Sequence, residues 1–257
     1  MKRARVIPIL LLQNRGLHKS VRFSQGKYIG DPLNAVRIFN DKQCDELILL
    51  DTGASKTGSP IDFRLIGEIA SECFMPLAYG GGVTTLSDIE KLLKLGIEKV
   101  SLNSVLFSQP AFLKEAVTHF GSSTIVVSVD VKKNLFGQYK VFSHAGLQDS
   151  KYDLDSMLNW FNDENPGEVV VNSVDLDGTM KGYDLTLARK VSTKLSMPVV
   201  LAGGCKNFED IRQILTETPV SAAAAGSFFV FQGPHRGVLI SYPSPDQITQ
   251  IYGTSAL

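Results

Sequence analysis

"MPLAYGGGV", residues 75–83, decides the fold, because the chain repeats it as "MPVVLAGGC" at residues 197–205. Each copy joins a Met-Pro start, a short apolar run and two or three glycines. An apolar run without alternation suits a strand of a parallel sheet covered on both faces. The two copies lie close to half a chain apart, which implies an internal duplication. "DTGASKTGSPIDF" (51–63) and "DLDGTMKGYDLTL" (175–187) match more loosely at a similar interval.

Working outward, PLAYGG (76–81) and PVVLAGG (198–204) are two of eight such runs. The others are VIPILLL (6–12), ELILLD (46–51), KVSLNS (99–104), TIVVSVDVK (124–132), EVVVNSVD (168–175) and VSAAAAGS (220–227). Amphipathic stretches separate them: 31–43, 61–74, 85–96, 112–121, 184–195 and 207–217. Several begin with Ser, Thr, Asp or Asn in an N-cap position. Eight alternating β and α units at this length are the arithmetic of a (β/α)8 TIM barrel, here built from two half-barrels. A doubly wound open sheet is the rival, with typically fewer strands. We expect residues 1–257 to form a single barrel domain.

The chain has 257 residues and 44% hydrophobic content, enough for one sizeable core. Lys plus Arg and Asp plus Glu each number 26, so no basic excess argues for nucleic acid or a membrane surface. Cys44, Cys73 and Cys205 lie far apart, with no Cys/His cluster for zinc, and fit a reducing cytosol. Val6–Leu12 is too short to span a bilayer, and no small-residue cleavage site follows it. These features predict a cytoplasmic protein.

A barrel of this kind places its chemistry at the C-terminal ends of the strands. The third run ends in Gly80-Gly81-Gly82 and the seventh in Gly203-Gly204. The fourth ends in Asn103-Ser104 and the eighth in Gly226-Ser227. Glycine lets backbone N–H groups approach a ligand, and a following helix N-terminus favours an anion. The bland reading is tight βα turns; the pairing of the turns within the repeat favours two phosphate cradles. Asp51, Asp130, Asp175 and Asp177 also stand at strand ends, as general acids or bases or as N-caps and loop anchors. His18, His119, His144 and His235 are scattered and read as surface or core residues. No nucleophile triad, metal cluster or cofactor motif emerges, so we expect no metal and no cofactor.

"GDPLNAVRIFND", "DELILLD", "YGGGV", "EKVSLNS", "VVSVDVKK", "DLDGTMKGYD" and "AAGSFFVF" together resemble the HisF family, the cyclase half of imidazole glycerol phosphate synthase. The resemblance runs from Arg5 to about Phe231. It implies a (β/α)8 barrel, a ligand with two phosphates, and ammonia received from a HisH-like glutaminase docked at the bottom of the barrel as a heterodimer. It assigns substrate and phosphate contacts to Lys19, Asp51, Gly82, Asn103, Ser104, Asp177, Gly178, Gly204, Gly226 and Ser227. The family's chemistry rests on two aspartates. One is present as Asp130. The other belongs to the family's "CLDV" motif, which here reads "ILLL" and puts Leu11 at that position. Losing one of two acid–base partners costs a factor of about 10²–10⁴ in rate. The family's Asp-Gly after that strand is replaced by Asn14-Arg15. Four charges that form an ammonia gate in the family match Arg5, Glu46, Lys99 and Glu168 with their signs kept. The bland reading of those four is solvated strand-start charges.

A conduit without half of the cyclase machinery resembles the AglZ/WbuZ-type branch of the family, whose late segment reads like "GPHRGVLISYP" (233–243) in place of the usual final helix region. That branch implies ammonia supplied to a separate ATP-dependent sugar amidotransferase, which turns an acetamido into an acetamidino group on a nucleotide-linked sugar of surface glycans. The alternatives are a true cyclase of histidine biosynthesis, favoured by Asp130 and Lys19, and a barrel lyase or isomerase acting alone on a phosphorylated sugar with Asp130 as base.

Overall fold

The computed structural model describes residues 4–24, 26–143 and 148–252, so His144 lies outside the described residues. Eight strands carry the architecture: β1 (Arg5–Gln13), β2 (Leu47–Asp51), β3 (Leu77–Gly80), β4 (Lys99–Leu102), β5 (Ile125–Lys133), β6 (Glu168–Ser173), β7 (Val199–Ala202) and β8 (Ala222–Ala225). They pair in parallel in the order β6-β7-β8-β1-β2-β3-β4-β5, and β5 pairs back onto β6. The sheet is therefore a closed barrel with no free edge, and the open-sheet alternative is excluded.

The longer helices among the described residues are α1 (Pro32–Asp41), α2 (Phe63–Glu72), α3 (Leu86–Lys94), α4 (Ala111–Phe120), α5 (Leu154–Glu164), α6 (Leu185–Lys194), α7 (Phe208–Glu217) and α8 (Pro245–Tyr252), beside three short ones. Their starts follow from capping chemistry. Asp31, Asp62, Asp153, Asp184 and Asn207 each accept a backbone N–H from the first turn, which satisfies a donor the helix itself leaves unpaired. Thr85 and Asp88 form a reciprocal capping box at α3.

Side-chain alternation divides the core. Val6, Leu10 and Leu12 of β1 pack outward against the helices. Ile7 and Ile9 point into the barrel with Ile48, Ala78, Val126, Val170, Val200 and Ala222, and Leu11 and Leu50 pack on that inner cluster. Both faces of β1, β2, β3, β7 and β8 are thus covered by apolar side chains, which is why their runs show no polar alternation, while β4, β5 and β6 carry polar groups on the inner face.

Two antiparallel hairpins extend the barrel at strand ends, one after β1 (Gly16–Lys19 with Lys27–Gly30) and one after β5 (Tyr139–Ser143 with Gln148–Asp153). β1 and β5 open the two halves of the duplication, so the halves share this extension. The segment 233–243 contains no helix; α8 follows it and lies against α7. Tyr242 anchors the segment. Its hydroxyl donates to the Val6 carbonyl at 2.9 Å and accepts the Asp45 N–H at 3.1 Å, tying it to the start of β1 and the approach to β2.

Candidate functional site

At the N-terminal end of the barrel, Arg5, Lys99 and Glu168 are the first residues of β1, β4 and β6, and Glu46 immediately precedes β2. Their side chains close a ring. Arg5 donates one guanidinium nitrogen to Glu46 and another to Glu168. Lys99 Nζ lies 2.8 Å from Glu46 and 3.2 Å from Glu168. Each charge touches two of the opposite sign, and the two glutamates are buried. Charges removed from water this far are costly unless they are paired in this way. The paired glutamates in turn hold the Arg5 guanidinium above its usual range, against the opposing effect of burial.

The inner face of β4, β5 and β6 leads from this ring to the mouth through polar groups. Ser101 and Ser128 share a hydrogen bond of 2.6 Å. Above them Asp130 is buried, and it accepts from Asn103 Nδ2 at 3.1 Å and Asn172 Nδ2 at 3.4 Å. Burial pushes the Asp130 carboxyl up to about 6, and the charge of Asp177 adds to this while the two amides oppose it. The opposite wall is apolar: Ile9, Leu11 and Leu50 line the same mouth. Leu11 therefore faces the lumen across from Asp130, and among the described residues the lumen-facing positions of β1 and β2 at this level, Leu11 and Leu50, carry no carboxylate.

Of the residues expected at the phosphate cradles, all except Gly82 border the mouth. Gly82 packs behind it, where an added Cβ would meet Ala54 at 2.9 Å. Lys19 is buried, with its ammonium 3.7 Å from Asp177 Oδ1. It rests on Gly226, where a Cβ would lie 2.3 Å from Lys19 Nζ. Gly204 has φ +107°, and a Cβ there would strike the Gly182 carbonyl at 2.0 Å, so this turn needs glycine for packing whatever it binds. Three buried polar atoms in the mouth lack any protein partner: Asn103 Oδ1, Asp177 Oδ2 and Ser227 Oγ. A buried unpaired polar group costs about 1–3 kcal/mol. Their convergence here is the arrangement of a polar ligand site.

The remaining strand-end acids are anchors. Asp51 caps the short helix Thr52–Thr57 through the Ala54 N–H at 2.9 Å, while also bordering the mouth. Asp175 accepts the Lys133 N–H at 2.8 Å. His119 and His235 are exposed. His18 departs from the expected surface or core role: it pairs with Leu11 across the first hairpin and lines the mouth. Asn172 was not anticipated either, although its even spacing from Glu168 puts both on one face of β6. Among the described residues no group of three or more His, Cys, Asp or Glu side chains is placed to hold a metal ion, and no helix is long and apolar enough to cross a membrane.

Comparison with known proteins agrees with this architecture. The family described as histidine biosynthesis protein matches residues 5–235. A Pseudomonas aeruginosa protein provisionally named imidazole glycerol phosphate synthase subunit hisF2 is 45% identical over 251 residues, covering 96% of this chain and 99% of the relative. A Vibrio vulnificus protein provisionally named subunit hisF3 is 46% identical over 248 residues, covering 96% and 95%. The imidazole glycerol phosphate synthase subunit HisF of Bacillus cereus (strain Q1) is 34% identical over 225 residues, covering 88% and 89%. The chain belongs to the histidine biosynthesis protein family and, within it, to the HisF-like barrels.

Proposed function

We propose that this HisF-like barrel delivers ammonia and does not close an imidazole ring. A HisH-like glutaminase docks at the ring end. Ammonia enters through the ring of Arg5, Glu46, Lys99 and Glu168, crosses the lumen and leaves at the mouth. Its acceptor is an ATP-dependent amidotransferase that converts an acetamido into an acetamidino group on a nucleotide-linked sugar for surface polysaccharide or flagellar glycan. The carrying observation is the pairing of an intact charge ring with Leu11 on the inner wall of the mouth. Leucine has no proton to exchange and no charge to stabilise a developing cation, so Asp130 lacks the second acid–base group that ring closure requires.

The second reading is the cyclase of imidazole glycerol phosphate synthase. Lys19 and the unpartnered Ser227 hydroxyl at the mouth favour it, since they suit a phosphorylated ligand, and Asp130 supplies an acid–base group beside it. Ammonia-dependent turnover of the family's bisphosphate substrate, measured beside a Leu11→Asp variant, separates the two. The delivery reading expects no turnover by the wild type and a measurable gain in the variant. Robust wild-type turnover overturns it and establishes the cyclase.

A further inference from the structure

If ring closure is absent, Asp130 is a buried acid without an assigned task. We propose that Asp130 and the amide oxygen of Asn103 form a holding site for a single ammonium ion at the outlet of the barrel. This deepens the delivery reading and rests on it.

Three observations support the site. First, charge: the mouth contains one buried ammonium, on Lys19, and two buried carboxylates, on Asp130 and Asp177. Lys19 lies against Asp177, and among the described residues Asp130 forms no ion pair with a cation; its side-chain hydrogen bonds come from Asn103 and Asn172. Second, hydrogen bonding: Asn103 and Asn172 both turn their NH2 groups to Asp130, which aims the amide oxygen of Asn103 elsewhere. That oxygen is buried and unpartnered, as is Asp177 Oδ2 on a side chain 10% exposed. Buried acceptors without donors fit a ligand that only donates, and ammonium has four N–H bonds and no lone pair. Third, position: the site stands above the Ser101–Ser128 pair, on the polar wall that begins at the charge ring.

The chemistry balances. Neutral ammonia emerging from the lumen takes the proton of the Asp130 carboxyl onto its nitrogen lone pair, leaving an ammonium–carboxylate pair. When ammonia passes to its acceptor, the proton returns to Asp130. An ammonium ion entering from solvent meets the carboxylate directly. Holding the charged form limits loss of ammonia to water between turnovers.

Ammonium chloride titrated into the purified chain in sodium buffer, followed by calorimetry and by 15N ammonium linewidth, tests the site. The expected result is one saturable ammonium per chain, displaced by potassium, at least tenfold weaker in Asp130→Asn and severalfold weaker in Asn103→Leu. Affinity falls as the pH drops through about 6, where Asp130 takes up its proton. The other ionisable groups bordering the mouth are His18, Lys19, Asp51, Asp177 and the buried thiol of Cys205, so the Asp130→Asn variant must also lose this pH dependence. No saturable binding by the wild type, or equal binding by Asp130→Asn, overturns the site. An inert titration without cyclase turnover removes the site and leaves delivery standing. Ammonium bound by a chain that also turns over the bisphosphate does the reverse.

Discussion

Asp130 shows how one residue trades stability for chemistry. Its carboxyl is raised to about 6 mainly by burial, from an ordinary value of 3.8. The folded state therefore binds the proton more tightly than the unfolded chain. Below pH 4 both states are protonated and the residue contributes nothing. As pH rises through the window between these values, the unfolded chain ionises first and stability falls. Above pH 6 the full cost remains, about 3 kcal/mol at 1.36 kcal/mol per unit. Asp130→Asn should thus raise the melting temperature at pH 7–8, and the difference from wild type should vanish toward pH 4. Thermal melts at several pH values check this. Equal melting temperatures at pH 7.5 would mean that Asp130 is not held in a water-poor site. Asp130 was legible in the sequence because it stands at a strand end. The cost was not, since burial depends on how Asn103 and Asn172 close over it.

Among elements, the strands were legible and the hairpins were not. A buried parallel strand announces itself as a continuous apolar run: six of the eight expected runs contain the strand found, β1 extends one residue past its run at each end, and β5 extends one residue past the end of its run. α5 carried a helical pattern as well, with Leu154, Met157, Leu158 and Phe161 buried at helical spacing, but it follows a polar hairpin that hides its start. The turn that leads β1 into the first hairpin gave no usual signal. Gln13 pairs with Gly16 around Asn14 and Arg15, whose φ angles are +50° and +62°. A two-residue turn with both φ positive favours Asn-Gly, and Arg occupies the glycine place. The left-handed conformation costs a non-glycine residue about 1–2 kcal/mol. In return Arg15 forms an ion pair with Asp62, the cap of α2, but an exposed pair is worth only about 0–1 kcal/mol. Arg15→Gly should therefore stabilise the chain slightly, by roughly 0.5–1 kcal/mol, as the turn strain outweighs the lost pair. A urea melt that shows destabilisation instead would mean that the bridge to α2 holds the hairpin.

At the scale of the whole molecule, the four ring residues are spread from position 5 to position 168, and only barrel closure brings them together. Their matching signs were readable one by one; that each charge touches two opposite charges was not. The ring is neutral as a unit, so its members are not independent. Removing Arg5 alone leaves two buried glutamates facing one lysine. Breaking a buried pair costs about 3–5 kcal/mol, and the roughly quarter exposure of the two cations puts the expectation at the lower end, about 3 kcal/mol for Arg5→Met. Removing Glu46 as well leaves Lys99 with Glu168, one cation and one anion. The Arg5→Met/Glu46→Gln double variant should then be more stable than the sum of the two single variants predicts, by about 1 kcal/mol or more. Denaturant midpoints at constant slope measure this coupling. Additive effects would show that the four charges are solvated separately, and a neck of independently hydrated charges offers ammonia no dry passage to guard.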